Sequence, residues 1–395
     1  MAVSAGAQAG RTLWEALAEI PDRRGRKGRQ YPLRAVLGLA LAAMVAGADD
    51  LMAIFRWARR LPPEALWQFG LRQAPCRATY HYFFKALDVD AMEQVLGVWA
   101  RGDAAVGHIA IDGKRLRGSA AAGHDGHDGV HLVAAFASRL QAVIGQLRVA
   151  PGANEITAAL ALLQSLPLDG AVVTGDAEFC QRTICQSIRD QGSDYLFTIT
   201  ANQPRLMADI AVAFGDAFHS ELTAALRGQP AAAAIWDGSP PDLAVAGTID
   251  TGHRRIERRE LAASSELASY LDWPGAAQVD RIHRMREAAG KQSHETVYVI
   301  TSLTRVQASP DALLALNRQR WRIENGLHWR RDTGFAEDAS RSAAATPRTP
   351  SPACATRCCA CCNPFPSPPA PYGKSSPKTA SEPSISHVRA FFEWP

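Results

Sequence analysis

The sequence predicts an α/β fold: a mixed sheet flanked by helices, preceded by a helical region and interrupted by a β-rich stretch. Three observations carry this. The first quarter of the chain places apolar residues at helical spacing, with prolines between the runs. From Val106 onward, short apolar strands alternate with helical segments, the order of an α/β sheet. Two of those strands run directly into an aspartate, Asp112 and Asp176.

A chain of 395 residues accommodates two or three domains, each with its own core. Hydrophobic content of 47% fits a soluble globular protein, and the net charge is +4. The charge is unevenly placed. Arg23, Arg24, Arg26, Lys27 and Arg29 crowd one short stretch, which suits either a polyanion or an ordinary solvated loop. No charged segment followed by an apolar core marks a signal peptide. The longest apolar run, Leu33–Ala46, is shorter than the ~20 residues a membrane span needs, and Arg34 interrupts it. It reads as a buried helix. Cys76, Cys180 and Cys185 are scattered and read as reduced thiols. These features make a cytoplasmic protein with no membrane partner the expectation.

Taken in order, residues 1–100 read as six helices: Leu13–Ile20, Leu33–Ala46, Leu51–Arg60, Glu64–Phe69, Thr79–Leu87 and Ala91–Trp99. Thr79 is a candidate cap for a helix whose outward face carries His81 and Lys85. Short helices with basic connections fit a helix-turn-helix DNA reader and a plain helical bundle equally well. Residues 101–228 begin the sheet. Val106–Ile111, Val130–Ala137 and Gln141–Ala150 read as an antiparallel meander. The His and Asp residues of Gly123–Gly129 could bind a metal, but a glycine-rich turn is the simpler reading. A helix over Asn154–Leu166 follows, then a strand ending at Asp176, a helix over Phe179–Gln191 and a strand over Asp194–Thr200. Residues 229–305 read as a β-rich insertion with a basic face: Val245–Thr251, Arg255–Leu261, Gln278–Met285 and Glu295–Leu303. Val297–Ile300 would return to the core sheet. Residues 306–341 complete the core with the clearest helix signal of the chain, Ser309–Arg331, opened by Ser309 and Pro310. On it Arg320, Glu324, His328 and Arg331 share a neighbourhood flanked by Trp321 and Trp329.

Each acid alone has an ordinary explanation. Asp112 and Asp176 could cap turns, and Glu324 could sit in a salt-bridged helix face. Together they suggest more. Strand ends of α/β sheets hold ligands. Three carboxylates converging on one mouth would bind two hard divalent cations, Mg²⁺ or Mn²⁺. Two such ions ~3.5–4 Å apart activate an attacking oxygen and stabilise a leaving one in phosphodiester chemistry.

Seven ordered motifs over about residues 10–341 resemble one family. They are Ala110-Ile-Asp-Gly-Lys114, His131-Leu-Val-Ala-Ala-Phe-Ala137, and Val173-Thr-Gly-Asp-Ala177 with Cys180-Gln-Arg182. Asp194-Tyr195, Asn202-Gln-Pro204 and Gly252-His-Arg-Arg-Ile-Glu257 follow. The last is Trp321-Arg-Ile-Glu-Asn-Gly-Leu-His-Trp329, with Phe335 and Glu337-Asp338 behind it. The chain resembles the DDE transposases of bacterial insertion sequences, of the H-repeat-associated type. The resemblance implies an RNase H-like core with Asp112, Asp176 and Glu324 as the catalytic triad and as ligands of two Mg²⁺ (or Mn²⁺) ions. It implies cleavage of double-stranded DNA at the element's terminal inverted repeats, strand transfer into target DNA, and a homo-oligomer assembled on DNA in the bacterial nucleoid. It further implies that Lys114, Arg115, Asn202, Gln203, His253, Arg320, His328 and Arg331 meet DNA.

Four positions depart from the pattern. Asn317 stands where related enzymes carry Tyr, Thr200-Ala201 where they carry Lys-Gly, and Glu178 where they are apolar. A metal-dependent nuclease would need the same acids, and a DNA-binding remnant would keep the motifs without cutting.

Residues 342–395 change character. They hold eleven of the 24 prolines and five of the eight cysteines, but only two acids, Glu382 and Glu393. The cysteine pairs of Cys358–Cys362 are too tight for a tetrahedral zinc loop. Such composition predicts disorder. With permitted codons the stretch from Ala345 can be read one base over as a strongly amphipathic helix, so the tail is expected to be frameshifted.

Overall fold

The computed structural model describes residues 12–102, 106–116, 130–168, 170–214, 242–252, 255–268, 270–288 and 290–334. Residues 123–129, His253 and the tail lie outside them. The chain divides into two compact units. One is drawn from Met1–Ala105, Gly113–Val149 and Glu324–Pro395, the other from Val106–Asp112 and Ala150–Ile323.

The first unit opens with six helices: α1 (Leu13–Leu17), α2 (Leu33–Val45), α3 (Leu51–Arg60), α4 (Pro63–Gln68), α5 (Arg77–Ala86) and α6 (Val89–Arg101). All six appear where helical spacing places them. Thr12 and Glu15 form a reciprocal capping box at the start of α1. Helix α2 is buried except at Arg34 and Val45, so it forms the axis of this core. A Cβ at Gly38 would lie 2.8 Å from the Trp14 ring, so only glycine lets α1 and α2 approach this closely. Helix α5 starts at Arg77, with Cys76 as its N-cap. Thr79 is therefore not the cap. It lies inside the first turn, its hydroxyl 3.3 Å from the Cys76 thiol.

The basic run 23–29 folds into a clasp. Arg24 is 8% exposed and donates twice to the Asp22 carboxylate, at 2.9 and 2.8 Å, and once to the Tyr31 carbonyl. Its guanidinium also lies 4.9 Å from the Phe83 ring centroid. Arg29 donates to the Arg24 and Asp22 carbonyls, and Arg23 pairs with Asp88. Arg24 is thus withdrawn from solvent, while Arg23, Arg26, Lys27 and Arg29 stay exposed, Arg23 and Arg29 with partners of their own.

The unit continues through the second half of β1 (His108–Leu116), β2 (Val130–Ala137) and β3 (Ala142–Arg148), in the order β3-β2-β1. β2 and β3 are antiparallel, as the meander reading requires, and α6 packs on β3. The unit closes with a π-helical turn, Glu324–His328, and helix α11 (Trp329–Gly334).

In the second unit the order is β1-β4-β5-β9-β8-β7-β6. β1 pairs in parallel with β4 (Val172–Gly175), and β4 with β5 (Asp194–Ile199). Parallel neighbours need crossovers. Helices α7 (Glu155–Ser165) and α8 (Arg182–Asp190) lie on those connections. Asn154 caps α7 by accepting from the Thr157 amide at 2.9 Å. Helix α9 (Pro204–Ala213), which sequence patterning left unassigned, follows β5. β6 (Ala244–Gly252), β7 (Arg255–Ser264), β8 (Gln278–Ala288) and β9 (Lys291–Thr301) form antiparallel pairs; the first three run beyond their expected limits, and β9 starts four residues earlier and ends two earlier. β9 then pairs with β5, Phe197 opposite Ile300. Helix α10 (Pro310–Arg320) closes a core of Leu196, Leu261, Ile282, Val299, Leu313 and Leu314.

Two expectations change. The strand before Asp112 does not stop there; β1 continues to Leu116. The helix expected over Ser309–Arg331 is not continuous. It ends at Arg320, turns at Trp321 and resumes as the π turn and α11. Periodicity reads apolar spacing and is blind to one inserted residue per turn, which is what a π turn is. Among the described residues no helix is long and apolar enough to cross a membrane.

Candidate active site

Asp112 and Asp176 belong to the same unit, on and just after neighbouring parallel strands. β1 pairs with β4 only as far as Ala110 opposite Thr174. Asp112 therefore lies just past the last paired residue, where the chain still runs extended. Asp176 follows the final residue of β4. Gly175 is required between strand and acid: a Cβ there would lie 2.9 Å from Ile111 and 3.1 Å from both Phe179 and Phe197. The Asp176 carboxylate accepts from the Glu178 amide at 3.0 Å and so caps the single 3₁₀ turn Ala177–Phe179. The capping role that a lone Asp suggests is present, and it is not the whole account. Burial raises the Asp176 pKa, the negative charge of Asp112 raises it further, and the Arg320 guanidinium partly opposes both. The two acids and Arg320 thus share one electrostatic environment.

Beneath the acids the two strands are tied by a bond that sequence reading missed. His108 Nε2 lies 2.8 Å from Thr174 Oγ1, and both side chains are buried. Burial, and then the charge of Arg322, lower the His108 pKa to about 4. The imidazole is neutral at physiological pH. The only available signal was a histidine beginning an otherwise apolar strand.

The loop after Asp176 is held from β5. Asn202 donates to the Ala177 carbonyl, and Gln203 to the Cys180 carbonyl at 3.0 Å. Both amides, expected to meet DNA, here bond the backbone beside the acid, and Asn202 is exposed. Glu178 is exposed rather than turned inward. Arg320 is half-buried, its guanidinium 5.0 Å from the Trp321 ring centroid.

The remaining candidates lie in the first unit. Glu324 is exposed and begins the π turn. Gly326 faces Phe136 of β2, where a Cβ would sit 3.3 Å from the ring. His328 and Arg331 are buried, Arg331 to 1% exposure, and Arg331 donates to Gln146 Oε1 at 3.1 Å. Helical spacing grouped Glu324 and His328 on one face, but the two differ sharply in burial. Lys114 donates to Asp332 at 2.7 Å. Neither the Arg331 nor the Lys114 cation faces open solvent as a phosphate contact would require. Arg115 is exposed. Its charge, second to burial, lowers the His131 pKa. Among the described residues no three His, Cys, Asp or Glu side chains gather closely enough to hold a metal ion.

The family described as "Transposase DDE domain" matches residues 106–345, which include all three acids. This chain belongs to the DDE transposases of the H-repeat type. A family described as "DDE_Tnp_1-associated" matches residues 14–100 of the transposase. An uncharacterized protein of the dhlA 3′ region in Xanthobacter autotrophicus is 29% identical, over 72% of this chain and 92% of its own length. Two "H repeat-associated putative transposases" of Escherichia coli (strain K12) also match. YhhI is 26% identical over 82% of this chain and 83% of its own, and YbfD 30% identical over 49% and 78%. The likeness to a solved piggyBac transposase synaptic complex with hairpin DNA is slight, with TM-score 0.40 and 10% identity over 88% of this chain and 70% of that one.

Proposed function

We propose that this transposase cuts double-stranded DNA at the terminal inverted repeats of its insertion sequence and joins the ends to target DNA, using Asp112, Asp176 and Glu324. One observation carries the reading. Two carboxylates on adjacent parallel strands are close enough for one to raise the pKa of the other, in a chain of the DDE family. Carboxylates held together in a half-buried setting repel each other, and a hard divalent cation relieves that repulsion. The donor chemistry therefore fits Mg²⁺ or Mn²⁺, with Asp112 and Asp176 as ligands and Glu324 as the third acid by its sequence match. When bound, two such ions supply Lewis-acid stabilisation of the attacking and leaving oxygens.

The chain's own residues do the rest. Gly175 lets Asp176 approach the Ile111 side of β1. Neutral His108 holds β1 to β4 without adding charge below the acids. Asn202 and Gln203 hold the loop that follows Asp176. Arg320, whose charge already reaches Asp176, is the cation we assign to phosphate, and exposed Arg115 is a second. Residues 1–100 are read as the DNA-binding part, 101–228 and 306–341 as an RNase H-like core, and 229–305 as its β insertion.

The test is cleavage of duplexes that carry the repeats flanking the gene. The parent with Mg²⁺ is expected to nick or cut at the repeat boundary. It should not do so in EDTA, nor should Asp112→Asn. Equal cutting by Asp112→Asn and parent would overturn the triad.

A further inference from the structure

The inference rests on the reading of the chain as a transposase acting on DNA, and names the element that meets the duplex. The sequence offers two basic regions near its start. In the more conspicuous, 23–29, Arg24 is buried and Arg23 and Arg29 are tied to Asp88 and to backbone carbonyls. The other is less obvious and points outward.

Helix α5 has two distinct faces. Tyr80 and Phe83 are buried in the helical core, with Arg24 against the Phe83 ring. Arg77, His81, Tyr82 and Lys85 are exposed on the opposite side, Tyr82 to 68%. Positions 77, 81 and 85 recur every four residues, so they form one stripe along the helix. The His81 and Tyr82 rings touch edge to face, with centroids 5.4 Å apart. No acidic residue occurs from Ala65 to Leu87, a stretch that holds Arg72, Arg77 and Lys85. Helix α3, which packs on α5, has no acid either and exposes Arg56, Arg59 and Arg60. An exposed stripe that mixes cations with hydrogen-bonding rings, on an acid-free element, complements a polyanion whose inner surface presents donors and acceptors.

We propose that α5 enters the major groove of double-stranded DNA, with Arg77, His81 and Tyr82 at base edges and Lys85 at a phosphate. Ten residues make a helix about 15 Å long. The major groove, about 12 Å wide, admits one. Residues of the N-terminal half reach the bases in such docking. The connection from Phe69 to Cys76 is longer than the 3–4-residue turn of a helix-turn-helix, so α4 and α5 are not that motif. The assignment rests on the α5 surface alone.

The experiment measures binding of the full chain to two labelled duplexes across a salt series. One duplex is the terminal repeat flanking the gene, and the other a scrambled sequence of equal length. His81→Ala/Tyr82→Ala is expected to weaken binding to the repeat about tenfold while leaving the scrambled duplex unchanged. Lys85→Ala is expected to weaken both and to reduce the slope of log K against log salt by about 1. All three side chains are exposed, and unchanged thermal melting confirms folding. A second measurement needs no variant. The exposed Cys76 thiol opens α5, and its alkylation by N-ethylmaleimide, followed by peptide mass mapping, is expected to slow when the repeat duplex is bound. Repeat-specific binding that survives the α5 substitutions, with Cys76 alkylated at the same rate, overturns the assignment. Loss of specificity in the α5 variants, in a parent that binds but never cuts, supports α5 while sinking the catalytic reading. A parent that binds neither duplex sinks both.

Discussion

At the scale of single residues the acids carry the strongest prediction. Asp176→Asn removes the carboxylate we propose as a metal ligand, whose ionised form burial and Asp112 disfavour. DNA cleavage with Mg²⁺ should fall by at least about 100-fold, the loss expected when several kcal/mol of transition-state charge stabilisation go. The melting temperature in EDTA should rise instead, because the repulsion is gone. Divalent ions should raise the parent's melting temperature and leave that of the variant unchanged, since a ligand stabilises only the state that binds it. A variant that melts lower in EDTA, or that still responds to Mn²⁺, would argue against a shared carboxylate site.

At the scale of elements, the strand-to-acid junction is set by a glycine. Gly175→Ala puts a Cβ among Ile111, Phe179 and Phe197 with no flexible side-chain end to give way. The expected cost is about 1–3 kcal/mol by denaturant unfolding. Cleavage should fall beyond what the lost stability explains, because Asp176 moves with the backbone. Gly326→Ala meets one ring at 3.3 Å and should cost less. The contrast between the two glycines tests whether close approach, rather than glycine content, matters at each place.

For the whole molecule, two buried groups of the second unit set a pH profile. His108 has a folded pKa of about 4, below its ordinary 6.5. Between those values the unfolded chain binds the extra proton, so stability rises with pH. Asp280 of β8 is fully buried, and burial raises its pKa from 3.8 to about 8, with Arg305 opposing. Across that interval the folded state holds the extra proton, so stability falls as pH rises. Each slope is about 1.4 kcal/mol per pH unit. They cancel between about pH 4 and 6.5. Above that the Asp280 slope stands alone, and stability should decline to about pH 8. Asp280→Asn keeps the shape without the charge and should abolish the decline above pH 6.5. It should also uncover the rise below it. Urea midpoints across the range check both, and an unchanged profile in Asp280→Asn would remove Asp280 as its source.

The sequence by itself determined the family and the order of elements, apart from helix α9 and the break after Arg320. Apolar spacing between prolines placed the six helices of the first unit. Strand length and alternation placed β1 to β9, and the seven motifs fixed the kind of enzyme. These are local signals, legible wherever one face of a segment is buried. Only the tertiary structure decided what each polar side chain is for. The 23–29 run and the α5 stripe are both basic in sequence. In the first, Arg24 and Arg23 pair with Asp22 and Asp88, which fold against it, and the second has no acid within α5 itself. Arg331 and Lys114 are two more cations in sequence, and the fold sets Gln146 and Asp332 against them. His108 carried no signal until Thr174 stood across from it on the neighbouring strand. A charge or a hydrogen bond is defined by its partner, and partners far apart in the chain meet only when it folds.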